Sequence, residues 1–198
     1  MSKMSPFFVI EDFLSPLQCE RILKLNQVKN VGSTIRHLNE GHIPVVKNSI
    51  TDYFDQFQNR YGAELSDDVK LLFYQFDENA SKPALNPQID GWEMQRRKWI
   101  KTKNIDLIGF IPLKSYCDSL PIDLDFEVYG GKLELLNFNF SILPERGSLI
   151  LMPAAPNFIY AISPINFGSF EMIKVHCSFT SNHEFILDNF STLIQDII

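Results

Sequence analysis

The spacing of apolar residues changes at Asp68, and that change restricts the possible folds more than any other feature of the chain. Before it, Ile50, Tyr53, Phe54, Phe57 and Tyr61 recur at i, i+3, i+4, i+7, the stripe of an amphipathic helix. This predicts a helix from Ser49 to about Tyr61, with Gly62 as its C-terminal stop. An earlier helix is predicted from Pro16 to about Asn26, because Ser15 can cap it and Pro16 suits the first helical position. Phe7-Phe-Val-Ile10 precedes it as a short strand. After Asp68 the apolar runs are short and separated by turn residues. Val69–Phe76, Asp106–Leu113, Gly131–Ile142, Ser148–Met152, Phe158–Ile162 and Phe170–Phe179 read as strands. Residues 77–92 read as a loop, broken by Asn79, Ser81, Pro83, Pro87 and Gly91. Helices followed by closely spaced short strands predict an α+β, mainly β chain built as a sandwich or barrel.

Within Lys132–Ile142, Leu133 and Leu135 share one parity while Phe138, Phe140 and Ile142 share the other. The switch near Leu136-Asn137 predicts a bulge or a bend between sheets. Pro144-Glu-Arg-Gly147 is a turn. In the last long strand Lys174, His176 and Ser178 alternate with Ile173, Val175, Cys177 and Phe179. That alternation reads as a strand with one apolar and one polar face, and His176, which shares the parity of Lys174, could face the barrel interior. The segment 184–198 is amphipathic, with Phe190, Leu193, Ile194 and Ile197 at helical spacing. It can dock on its own core or anchor in the groove of another protein. We expect one domain over 1–183 and an amphipathic tail over 184–198.

A chain of 198 residues with 45% hydrophobic residues can bury a sizeable core. Its net charge of −6 argues against general binding to nucleic acid. Trp92 to Lys103 concentrates Arg and Lys around two Trp, a pattern that can stack bases. We read it instead as Trp rings packed on the sheet with the basic groups in water. Cys19, Cys117 and Cys177 are too far apart for a zinc or redox motif and are expected to be buried thiols. Asp118, Asp123 and Asp125 lack the spacing of a calcium loop and read as a solvated acidic turn. His37 and His42 lie in a polar segment and are expected to be solvated or to lie in a contacting loop. Met1 to Pro6 has no apolar leader, and no apolar run approaches the ~20 residues that span a bilayer. The expectation is a soluble protein made in the cytoplasm.

Three segments carry a family resemblance: Phe126 to Leu135 with its Gly130-Gly131, Leu143 to Pro153, and Asn157 to Ile165. Together they resemble the second half of the prolyl 4-hydroxylase-like iron(II)/2-oxoglutarate dioxygenases, of the type found in tailed bacteriophages. Phe8 to Cys19 resembles the opening strand and helix of that family. The resemblance implies a double-stranded β-helix (jelly roll) with supporting N-terminal helices. It also implies iron(II) held by two histidines and a carboxylate, with 2-oxoglutarate as cosubstrate. The first histidine and the carboxylate belong to a loop that reads Asn86-Pro-Gln-Ile-Asp-Gly91 here. Asp90 matches the carboxylate, and Gln88 stands in the histidine position. The distal histidine position, counted back from Pro164-Ile165, is Tyr160. The basic residue that pairs with the far carboxylate of 2-oxoglutarate falls at Phe170, with Lys174 further along the same strand face.

An amide and a phenol are poor substitutes for imidazoles at iron(II). We therefore expect Gln88, Asp90 and Tyr160 to be vestigial metal positions, with no catalytic residue, metal or cofactor. The matching function is a non-catalytic structural or interaction protein in an oligomeric or virion assembly, with other proteins as partners. The alternative is an iron(II)/2-oxoglutarate hydroxylase of protein side chains with a rearranged site, in which Lys174 would serve the cosubstrate. A metal site rebuilt from Asp90, His176 and Tyr160 is a further form of that alternative.

Overall fold

The first helix is started by a reciprocal capping pair. Gln18 N–H donates to Ser15 Oγ at 3.3 Å, and Ser15 N–H donates to Gln18 Oε1 at 2.8 Å. A computed structural model of the chain describes residues 7–26, 34–79, 81–117, 127–143 and 145–180. In chain order the first elements are β1 (Phe8–Ile10), α1 (Pro16–Asn26), β2 (Thr34–His37), α2 (Ile43–Thr51), α3 (Phe54–Tyr61) and β3 (Lys70–Phe76). There follow β4 (Leu85–Gln88), β5 (Trp92–Gln95), β6 (Lys98–Lys101), β7 (Leu107–Pro112), β8 (Tyr116–Cys117) and β9 (Val128–Gly130). The last are β10 (Leu133–Leu135), a 3₁₀ turn (Leu136–Phe138), β11 (Phe140–Ile142), β12 (Leu149–Pro153), β13 (Tyr160–Ile162), β14 (Ile165–Phe167) and β15 (Phe170–Cys177).

One sheet has the order β1-β12-β7-β15-β3-β2. Opposite it lie the sheets β11-β10-β13-β4 and β14-β9-β8. Pairing is antiparallel except between β8 and β9. This is the mainly β jelly roll expected from the sequence. Two apolar cores result. On the outer face of the six-stranded sheet, Ile22, Val46, Ile50 and Phe57 of the helices pack with Leu71, Phe73, Ile173 and Val175. On the inner face, Tyr74, Phe110, Phe170 and Met172 meet Leu133, Leu135, Tyr160 and Ile162 of the opposing strands. No helix among the described residues is long and apolar enough to cross a membrane.

Two glycines are required by close backbone approaches. Gly147 has φ +75°, and a Cβ there would lie 2.1 Å from the Leu14 carbonyl oxygen. Its own carbonyl accepts Leu14 N–H at 2.8 Å. Gly130 has φ +96°, and a Cβ would lie 2.3 Å from Pro164 O.

Several expectations change. The helix expected over Ser49–Tyr61 is two helices, and α2 begins earlier, with Pro44 in its first turn. The break falls where Tyr53 takes φ −106°, ψ 2°, outside the helical region. Ser49 and Thr51 hydroxyls also donate back to Val45 O and Lys47 O at 3.1 and 2.9 Å, bonds that bend helices. Ile50 and Phe57 still share one buried face across the break. The stretch 77–92 is not all loop: β4 lies within it, and Pro87 is tolerated because β4 is an edge strand. The parity switch at Leu136-Asn137 is the 3₁₀ turn between β10 and β11.

The segment after Trp92 forms its own hairpin of β5 and β6. Only part of the expected Trp packing occurs. Trp92 Nε1 donates to Ala154 O at 2.7 Å, whereas Trp99 stands exposed with Met94 and Ile100. Arg96 and Arg97 make the two-residue turn with φ 48° and 66°, a type I′ geometry that favours Asn-Gly. None of the three cysteines forms a disulfide, and all three are buried. Helical docking of Phe190, Leu193, Ile194 and Ile197, and the acidic turn of Asp118, Asp123 and Asp125, lie outside the described residues.

Candidate active site

Three strands bring five polar side chains together. β13 pairs with β4 so that Tyr160 lies opposite Gln88. Asp90 follows two residues later, at the root of the hairpin. Gly91 turns the chain there with φ +75°, and its carbonyl accepts Thr102 N–H at 2.7 Å. β15 runs between β3 and β7, placing Lys174 beside Leu72 and Phe110. Phe170 and Met172 of this strand line the inner core, and Ile173, Val175 and Cys177 the outer one. Lys174 and His176 share the inner parity.

The polar face of β15 turns inward. Helices cover one face of the six-stranded sheet and strands cover the other, so Lys174 is 0% exposed. Its ammonium donates to Asp90 Oδ2 at 2.5 Å and to the Tyr160 hydroxyl. It also faces the rings of Tyr160 and Tyr74, at 4.9 and 5.3 Å from their centroids. Tyr160 donates its own proton to Asp90 Oδ2 at 2.6 Å and accepts from Gln88 Nε2 at 2.5 Å. Its ring meets Phe110 edge-on at 5.0 Å. Phe170, at the position expected to carry the cosubstrate's basic partner, packs instead against Tyr116 at 4.9 Å.

Electrostatics follow from burial. Tyr160 is pushed well above the usual phenol range by burial and by the neighbouring Asp90 charge, so it stays a neutral phenol. Burial lowers Lys174, and Asp90 opposes that fall. His176 is lowered to about 4, chiefly by burial, with Asp90 opposing and Lys174 adding to the shift. Its imidazole is therefore neutral at pH 7. His176 Nε2 lies 3.7 Å from Asp90 Oδ1, and it is buried with no hydrogen-bond partner.

Sequence reasoning placed Gln88, Asp90 and Tyr160 in one site, with Lys174 and His176 as candidates, and the chain brings all five together. It missed Tyr74 and Phe110 as walls. They are apolar-parity residues of β3 and β7, and only the strand order shows that they surround the Lys174 chain. His37 lies exposed on β2 and His42 stands at the N-cap position of α2 with no side-chain capping bond, and neither belongs to this site.

Among solved structures similar to this chain is a viral collagen prolyl hydroxylase from Paramecium bursaria Chlorella virus-1, in its 2-oxoglutarate complex. It has a TM-score of 0.66 at 13% identity, over 89% of this chain and 97% of that one. A prolyl-4-hydroxylase from Pseudomonas putida has a TM-score of 0.61 at 12% identity, over 89% and 94%. A 2-oxoglutarate-Fe(II) oxygenase family oxidoreductase from Burkholderia pseudomallei has a TM-score of 0.61 at 11% identity, over 87% and 84%. No family model matches the chain, and no curated protein matches it in sequence. The likeness establishes the double-stranded β-helix of the 2-oxoglutarate-Fe(II) oxygenases as the fold.

These neighbours correct the expectation that no cofactor is called for. The viral hydroxylase is seen with 2-oxoglutarate and the Burkholderia protein is a 2-oxoglutarate-Fe(II) oxygenase, so the neighbours point to iron(II) and 2-oxoglutarate. That expectation rested on the replacement of two imidazoles by the Gln88 amide and the Tyr160 phenol. The donors themselves do not fit a centre with two imidazoles and a carboxylate. Among the described residues no three of His, Cys, Asp and Glu converge, and an ammonium sits on Asp90 Oδ2. The side chains present offer a two-donor seat, Asp90 Oδ1 and neutral His176 Nε2, and no chemical step is assigned to a metal there. The expectation of a virion component gains nothing from these enzymes.

Proposed function

We propose that this chain is an oxygenase of the 2-oxoglutarate/iron(II) kind, acting on a protein or peptide side chain, with a site rearranged around Asp90 and His176. The observation that carries this reading is the convergence of Asp90, Tyr160, Lys174 and His176 inside a barrel that aligns with 97% of a viral collagen prolyl hydroxylase. Asp90 supplies a carboxylate and His176 a free imidazole lone pair. The Lys174 ammonium is suited to a carboxylate ligand, as the basic residue of such sites is. The hairpin rooted at Gly91 holds Met94, Trp99 and Ile100 exposed beside Arg96 and Arg97, a surface suited to a polypeptide.

The test is anaerobic reconstitution with iron(II), followed by metal analysis and detection of succinate from 2-oxoglutarate. About one iron per chain with succinate formation is expected, and protein without stoichiometric iron refutes the reading. A second reading, an interaction subunit of an oligomeric or virion assembly, is favoured by one observation. Phe140, on edge strand β11, and Leu136 beside it are exposed, and such edges invite partners. Absence of the chain from purified particles of its source would end the virion form of it.

A further inference from the structure

The β5–β6 ribbon stands clear of the barrel beyond its root. Trp92 is held by the Ala154 carbonyl and Lys101 by Asp106, at 2.7 and 2.6 Å, and every residue over 93–100 is exposed. The register sets Met94 beside Trp99 on one face and Glu93 beside Ile100 on the other. Arg96 and Arg97 form the tip, followed by Lys98. Residues 92–103 carry five basic side chains and one acidic one, in a chain of net charge −6. An isolated two-stranded hairpin is marginal in water, and this one leaves Met94, Trp99 and Ile100 exposed.

A complementary surface lies at the other end of β12. Trp92 docks just past the end of that strand, at Ala154, whereas a groove of about 110 Å³ opens at its start. Val9 and Ile150 are register partners on the inner face of the six-stranded sheet, whose edge here is β1. The four-stranded sheet also ends here, with β11, so Val9 is left 53% exposed. Ile142 and Leu143 complete the apolar lining, and Glu11 and Glu145 add two exposed carboxylates. Ser148 Oγ donates to Glu145 O at 2.7 Å and fixes the turn that carries Glu145. Arg146 does not neutralise this rim, because its guanidinium donates to Pro16 O and Glu20 at 3.1 and 3.4 Å. A space of this size takes an aliphatic side chain such as that of Met94.

We infer that this chain associates head to tail with a second copy of itself. The Met94–Trp99 face and the Arg96-Arg97 tip of one ribbon seat in the Val9–Ile150 groove of the next copy, against Glu11 and Glu145. Apolar meets apolar and basic meets acidic, and the two surfaces lie at opposite ends of one strand, so they meet between copies. Such a contact is heterologous and grows into a ring or a filament. Nucleic acid would engage the basic tip, but it leaves the groove unused, and Met94 and Ile100 offer no ring to stack on bases. The inference goes beyond the oxygenase reading and does not rest on it, since neither iron nor 2-oxoglutarate takes part.

Sedimentation velocity of the full-length protein at about 1, 10 and 100 μM reads the association. Wild type is expected to sediment faster as concentration rises, and less so in about 0.5 M salt than in about 0.05 M, because the paired charges lie at the surface. Arg96→Glu/Arg97→Glu and Glu11→Lys/Glu145→Lys change exposed positions only, and their melting temperatures check that the fold is kept. Each is expected to sediment as a monomer at every concentration. Mixed in equal amounts they should associate again, because the unaltered ribbon of one meets the unaltered groove of the other. Wild type that stays monomeric overturns the inference, as it would if residues 1–6 of the same chain filled the groove. Association that survives either variant, or a mixture that stays monomeric, overturns it too. Monomeric wild type that binds a labelled single-stranded oligonucleotide through Arg96 and Arg97 would assign the ribbon to nucleic acid instead.

Discussion

Replacing Lys174 by methionine in metal-free protein keeps most of the side-chain volume and removes the charge. Asp90 is then left with the Tyr160 hydroxyl and no counter-ion in a well where Lys174 was 0% exposed. Removing one partner of a buried pair costs about 3–5 kcal/mol, because the surviving charge is stranded. For a chain of this length each kcal/mol lowers the melting temperature by about 2–4 °C, so a fall of about 6–20 °C is expected. Asp90→Asn strands the ammonium instead and should be harmful in its own right. Lys174→Met/Asp90→Asn removes both charges and should be markedly less destabilised than the two single losses added together, with a coupling of about 2 kcal/mol or more. Urea unfolding followed by tryptophan fluorescence, in chelator at pH 7, measures all four corners of the cycle. A Lys174→Met loss below about 1 kcal/mol, or an additive double variant, would show that ammonium and carboxylate are not paired in the interior.

His176 makes stability depend on pH in a defined direction. Its native value of about 4 lies below the ordinary 6.5, so between these values the unfolded chain takes up a proton that the native chain refuses. Stability should be full above pH 6.5 and fall by about 3 kcal/mol as pH drops through 4. The gap between wild type and His176→Leu, followed from pH 7 to pH 4, should carry that slope; a flat gap would contradict it. Gly147→Ala should destabilise by about 2 kcal/mol or more, since it forces a Cβ to 2.1 Å from Leu14 O at φ +75°; chemical denaturation measures this. Burial raises Cys19 and pushes Cys177 up to about 12, and Cys117 is buried too. A thiol reagent at pH 8 should therefore label none of the three rapidly in native protein and all of them in urea; prompt native labelling would count against this packing.

Much of the scaffold was legible because its signals are local. Ser15 and Pro16 announce a capped helix, and Gly130 and Gly147 mark turns that no side chain could occupy. Pro87 misleads, because a proline argues against a strand unless the strand order is known, and β4 proves to be an edge. The β5–β6 hairpin was illegible for a different reason. Its turn carries Arg96-Arg97 in left-handed geometry, without the Asn-Gly that usually signals such a turn. In the site, the spacing of Gln88, Asp90 and Tyr160 was readable through the family resemblance. The burial of Lys174 was not. A strand alternating Lys-Val-His-Cys shows one polar face, and only the helices on one side and the opposing sheet on the other show that Lys174 is enclosed.

The buried lysine has a consequence for how Asp90 is kept neutralised. The charge that balances Asp90 arrives on the same polypeptide, from the opposite sheet, once β15 lies between β3 and β7. This counter-charge is covalently part of the chain, so neither dialysis nor a chelator can remove it.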